Sequence, residues 1–248
     1  INPFEMWLLT VMIAAISFAG YIAIKAVGDE AGIVMTGIAG GLASSTAVTV
    51  TLAEMAKEHP EKVSPLTSGA LFASATMAAR VLVVVAAVGT SVLPKIALPI
   101  GVGGLALLGI AFYFLKQNTN GVERSRLKLT NPFELKTVLK FGLLLTAITA
   151  ATKLLTRIGT GQGVYVLALF SGIADVDAMT LSMSRQATDP GSATLAANAI
   201  LIVVAVNTVA KAVIGWMTGG AGFGKRMMAA AVVAIAAGGA TLLLPSLS

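Results

Sequence analysis

The chain of 248 residues contains no cysteine, one histidine and only 11% charged residues. Without thiols there is no disulfide framework, no thiolate metal site and no cysteine nucleophile. The lone His59 sits in a charged loop with Glu54, Glu58 and Glu61 and reads as a solvated side chain, which leaves no helix with paired histidines to hold zinc. Patterns of the Gly-x-Ser-x-Gly or Cys-x-x-Cys kind are also missing. The strings Gly159-Thr160-Gly161-Gln162-Gly163 and Gly219 to Gly224 follow no strand and carry no phosphate-loop lysine, so they read as connections. Neither an enzyme nor a bound cofactor is expected.

What the chain has in excess is apolar surface: 56% hydrophobic residues and a mean hydropathy of +0.90, more than a soluble globule can hide. A membrane-spanning helix needs about 20 mostly apolar residues. Runs that qualify lie at 6–27, 31–56, 65–93, 95–116, 136–156, 161–187, 193–217 and 225–246. Trp7, Tyr21, Tyr113, Tyr165 and Trp216 fall near their ends, where amphipathic rings prefer the headgroup layer. The fold class expected is therefore all-α, a multi-pass integral membrane protein whose principal partner is the lipid bilayer. A net charge of +6 and a pI near 9.7 do not argue for nucleic acid, because the basic residues lie in loops between apolar runs, as a positive-inside bias would place them. The chain starts at Ile1 without a charged leader pattern, so it is expected to be a segment of a longer protein.

The sequence repeats itself. Asn2-Pro3-Phe4-Glu5 recurs as Asn131-Pro132-Phe133-Glu134, and the string from Gly41 to Thr49 recurs from Gly172 to Thr180 at a shift of 175 − 44 = 131. Arg80 meets Lys211 at the same shift, and Asn207 falls at the place of Thr76. Two tandem four-helix repeats account for this: repeat 1 over 1–116, a basic cytoplasmic linker over 117–135, and repeat 2 over 136–248.

Eight full spans set the repeats parallel, which is the arrangement preferred from the sequence. Nine loop cations then lie on one side (Lys57, Lys62, Lys116, Arg124, Arg126, Lys128, Lys136, Lys140, Arg185) and six on the other (Lys25, Lys95, Lys153, Arg157, Lys225, Arg226). If the second element of each repeat is instead a re-entrant hairpin turning at Gly40-Gly41, the repeats are inverted and the division becomes eleven to four.

Asp175 and Asp177 fall near the centre of the sixth run, where a carboxylate costs at least about 2.5 to 3.5 kcal/mol to insert. They are the candidates for an ion, proton or metal ligand. Residues two apart on an intact α-helix point about 200° away from each other, so either the helix is broken there or only one of the pair serves a site. Ser44, Ser45 and Thr46 match the aspartate positions in repeat 1 and offer hydroxyls to complete a shell. Thr49, Thr180 and Asn207 complete the candidate set. Arg80 and Lys211 balance the two aspartates in charge. Gly37 and Gly41 have the four-residue spacing of close helix packing in lipid.

On the paired strings Gly41 to Thr51 and Gly172 to Ser182, the chain resembles the second membrane domain of long bacterial MgtC/SapB-type proteins, a domain without an assigned activity. The resemblance implies a bacterial inner-membrane protein and a partner N-terminal MgtC-like domain absent from this chain. Ser44 to Ala47 alone are similar to a string on a broken helix of cation/proton antiporters of the potassium-efflux type.

The functional expectation is a transporter or channel for a small ion, a cation or proton-coupled solute, with a midplane site of buried aspartates and hydroxyls. The alternative is a non-transporting membrane module that docks or regulates a partner. Small faces such as Gly101, Gly103 and Gly104 would serve packing within one copy or in a homodimer.

Overall fold

The computed structural model describes residues 32–117 and 161–244, with isolated positions in 4–22 and 143–154. Those positions are all helical and fall in the expected spans 6–27 and 136–156, except Phe4, which precedes the first. The rest of those spans, the linker beyond Gln117 and the two Asn-Pro-Phe-Glu strings, Phe4 apart, lie outside the described residues. Of the described residues 94% are helical and none is in a strand.

The elements in order are α1 (Ile33–Glu58), a 3-10 turn (Pro60–Lys62), α2 (Val63–Val88), α3 (Leu93–Lys116), α4 (Gly161–Ala174), α5 (Val176–Gln186), α6 (Pro190–Ala240) and a closing 3-10 turn (Thr241–Leu243). Four apolar segments, Ile33–Glu58, Pro60–Val88, Leu93–Lys116 and Pro190–Leu243, are long enough to cross a membrane. The chain is accordingly read as a membrane protein. Exposed Leu105, Phe112, Tyr113, Phe170 and Met217 suit a lipid-facing surface.

Two of the long segments fold back on themselves. α1 is interrupted at Ser44, whose backbone is extended (φ −164, ψ 99). A methyl group built on Gly69 would lie 2.8 Å from Ile33 Cγ1 and 2.9 Å from Leu52 Cδ1. On a straight helix Ile33 and Leu52 would be about 28 Å apart at 1.5 Å per residue, so the halves of α1 form a hairpin with its tip at Ser44. α6 reverses at Gly220 (φ 77, ψ −178), because Gly215 and Phe223 touch although eight residues apart. On one straight helix those eight residues span about 12 Å.

α4 and α5 repeat the α1 pattern around Asp175 (φ −161, ψ 136). Asn198 donates to the Tyr165 hydroxyl at 3.3 Å and Asn207 to the Gly172 carbonyl at 2.9 Å, so α4 runs parallel to the start of α6. α5 must return to Pro190 through a three-residue turn and therefore runs the opposite way. With 14 and 11 residues, α4 and α5 reach about 21 and 16 Å, short of the roughly 30 Å hydrocarbon layer.

Neither core belongs to one side of the linker. One joins Val81, Val84 and Ile96 to Met179, Leu181 and Ile200; the other joins Leu52, Leu66 and Phe72 to Phe223 and Met227. α3 and the part of α6 after Gly220 run antiparallel, since Pro99 meets Gly238, Gly103 meets Ala234 and Arg226 lies over the Phe114 ring at 5.8 Å.

Asp189 caps the N-terminus of α6, accepting from the Gly191 and Ser192 amides at 3.0 Å. The Ser192 amide, and then its hydroxyl, hold the Asp189 carboxyl below its ordinary value of 3.8. A lowered carboxyl contributes stability above its unfolded value and loses it as pH falls through the folded one. Asp189→Ala is expected to lower the melting temperature at pH 7, by a margin that shrinks as the pH is taken below 3.8. A margin independent of pH in thermal melts of the two proteins would refute the assignment.

Candidate ion-binding site at the helix breaks

The two hairpin tips are built alike from short polar side chains that compete with the helical ladder. At the first, the Ser44 hydroxyl accepts from the Ala47 amide at 3.3 Å and starts the second half of α1. At the second, the Asp175 carboxylate accepts from the Asp177 amide at 2.6 Å and starts α5. Small residues let the tips approach the long helices closely. Gly41 packs on Ala73 and Thr76 of α2, and Gly172 packs on Val203 and Val206 of α6.

Arg80, on α2, joins the two tips. One terminal guanidinium nitrogen donates to the Asp177 carboxylate at 2.7 Å, and the other donates to the Leu42 carbonyl at 2.7 Å. Both residues are buried, Arg80 at 8% exposure and Asp177 at 5%. The extended backbone at Asp175 removes the problem of two carboxylates on opposite faces of one helix, since Asp175 turns back on its own chain while Asp177 turns to α2. Each therefore has a different partner.

Lys211 of α6 is 1% exposed, and its Nζ has no hydrogen-bond partner among the described residues. It interacts electrostatically with Arg80, Asp177 and Asp175, so all four charged groups share one buried region. Arg80 Nε and the Thr180 hydroxyl are likewise buried without a hydrogen-bond partner among the described residues. Thr180 lies three residues beyond Asp177, on the same helical face.

The other candidates take mixed positions. Thr49 is buried but spends its hydroxyl on the Ser45 carbonyl at 2.8 Å. Ser45 is buried at the tip, and Ser44 and Thr46 are half-buried. Asn207 ties α6 to the end of α4 rather than standing free for a ligand. No group of three Asp, Glu or His positioned for a metal occurs among the described residues. The Leu42 and Gly172 carbonyls, which hold Arg80 and Asn207, have no signature in a sequence because every residue carries a carbonyl. The glycines flanking the tips are the only signal that could have pointed to them. A cavity of about 260 Å³ between α2, α3 and α6, lined by Met77, Pro99, Gly103, Leu201, Ala234 and Gly238 among others, is apolar and includes none of the candidate residues.

Residues 11–219 match a protein-family model described as Domain of unknown function (DUF4010). A protein of Aquifex aeolicus (strain VF5), described as "Uncharacterized protein", is 29% identical over 182 residues, covering 72% of this chain and 79% of that protein. No solved structure matches.

Proposed function

The chain belongs to the DUF4010 family, and from that premise and the joined helix breaks we propose that it carries a small ion across the bilayer at a site between the two hairpin tips. The observation that carries the reading is the Arg80 bridge from Leu42 at one tip to Asp177 at the other, deep in an apolar protein. Irregular backbone at membrane depth is tolerated where protein or a cavity satisfies it, and transporters place binding sites at such interrupted helices. Buried ionisable groups at that depth are seldom kept without use.

Support for a duplicated architecture comes from one shift. Ser44 and Asp175 are the breaks, Gly89 ends α2 where Gly220 reverses α6, and Arg80 and Lys211 are the buried cations; each pair is separated by 131. Gly103 and Ala234 share the same separation and face each other on antiparallel helices. Re-entrant hairpins leave three full spans per repeat, and odd repeats are inverted about an axis in the membrane plane. This favours the inverted over the parallel arrangement. Eleven loop cations, six of them between Lys116 and Lys140, then face the cytoplasm, in a multi-pass protein of a bacterial inner membrane. The likeness to MgtC/SapB-type proteins rests on the tip strings alone, since neither matching description carries that name.

Transport is tested by ion flux into proteoliposomes. Asp175→Asn and Asp177→Asn, checked for monodispersity, are each expected to lower flux at least about tenfold, a loss of ~1.4 kcal/mol or more. Unchanged flux in both variants, or no flux of any ion with the parent, would dispose of the reading.

A further inference from the structure

Three buried groups on the helices that meet at the hairpin tips have no partner among the described residues, and each can give a hydrogen bond. They are the Lys211 amine, the Arg80 Nε–H and the Thr180 hydroxyl, all with buried polar atoms. One oxygen of each nearby carboxylate is already engaged, Asp177 Oδ2 by Arg80 and Asp175 Oδ1 by the Asp177 amide. From this imbalance we infer that the site takes a small monoanion, such as a carboxylate or a singly charged oxyanion, with Lys211 as its ion-pair partner.

The inference rests on the transport reading and narrows it from any small ion to an anionic one, against the cation expected from the aspartates alone. Arg80 and Asp177 neutralise each other, and Asp175 faces the N-terminal end of α5, where a negative group is stabilised by the helix dipole. Although the two aspartates balance Arg80 and Lys211 in charge, Lys211 is the cation whose amine has no hydrogen-bond acceptor among the described residues, and an anionic group would supply one. A cation entering the same place would meet a buried amine and donor hydrogens while competing with Arg80 for the Asp177 carboxylate. Thr180 lies one helical turn beyond Asp177, so its hydroxyl can supply the hydrogen bond that fixes an acceptor oxygen beside Lys211.

The test uses the full purified chain and its melting temperature, because a ligand bound only by the folded form raises it. Acetate or nitrate is varied with sodium held constant by gluconate; in a second series lithium, sodium, potassium and magnesium are varied at fixed nitrate. The parent is expected to be stabilised by acetate or nitrate and to be indifferent to the cation. Lys211→Met should lose the anion response. Thr180→Val, which removes only a hydroxyl and keeps the shape, should need roughly tenfold more anion for the same shift. A parent insensitive to both anions, or a response intact in both variants, overturns the inference.

Flux separates the two levels. Potassium uptake that is indifferent to nitrate and acetate refutes the anion assignment and leaves transport standing. Anion-dependent stabilisation with no flux of any ion refutes transport and keeps the site.

Discussion

Arg80→Met is expected to destabilise the protein by about 3 to 5 kcal/mol, the usual result of stranding one member of a buried ion pair. The Asp177 carboxylate would be left at 5% exposure without its counter-ion, and the Leu42 carbonyl at the tip of α1 would lose its donor. Asp177→Leu should do comparable damage by stranding the guanidinium. The double variant Arg80→Met/Asp177→Leu should recover most of the loss, because replacing a whole buried pair by apolar groups is often neutral or better. Denaturant unfolding in mixed micelles measures the three free energies. Single changes within about 1 kcal/mol of the parent would mean the bridge contributes nothing. The double variant is also informative about transport, since a folded protein without flux separates the chemistry of the pair from its effect on stability.

Gly41→Ala and Gly172→Ala are expected to cost about 1 to 3 kcal/mol each, the range for forcing extra volume into a packed interior. At Gly41 the new methyl would lie 2.7 Å from both Cα and O of Ala73, which are backbone atoms and cannot swing aside. At Gly172 it would lie 2.8 Å from the Val203 carbonyl oxygen, beside the Gly172 carbonyl that Asn207 holds. Either change would push a hairpin away from its long helix and pull the tip residues off register, so flux should fall along with stability. Gly101→Ala is a useful control, because no described residue lies within 4 Å of its added methyl. Equal melting temperatures for Gly41→Ala, Gly172→Ala and Gly101→Ala would contradict the packing described.

The apolar runs were legible because lipid demands them: the described helices fall within or across the expected segments, and the breaks at Ser44, Asp175 and Gly220 sit where glycine and short polar residues cluster. A run of apolar residues does not disclose its direction. α1 is as apolar as a spanning helix and is long enough to be one, yet its halves lie side by side against Gly69. The choice between hairpin and straight helix is made by contacts with α2 that no local pattern records. The same holds at the site. The aspartates and the cations stood out as charges in hydrocarbon, but that Asp175 would satisfy its own helix end while Asp177 reached Arg80 depended on the backbone turning at one residue.

At Gly220 the backbone torsions (φ 77, ψ −178) are close to the mirror image of the extended region that ordinary residues favour. No described residue lies within 4 Å of a Cβ built there, so a methyl would meet none of them. The demand at that corner is one of handedness: a D-amino acid would fit where its L-enantiomer would strain, and the achiral residue is the sole member of the genetic repertoire free of that conflict.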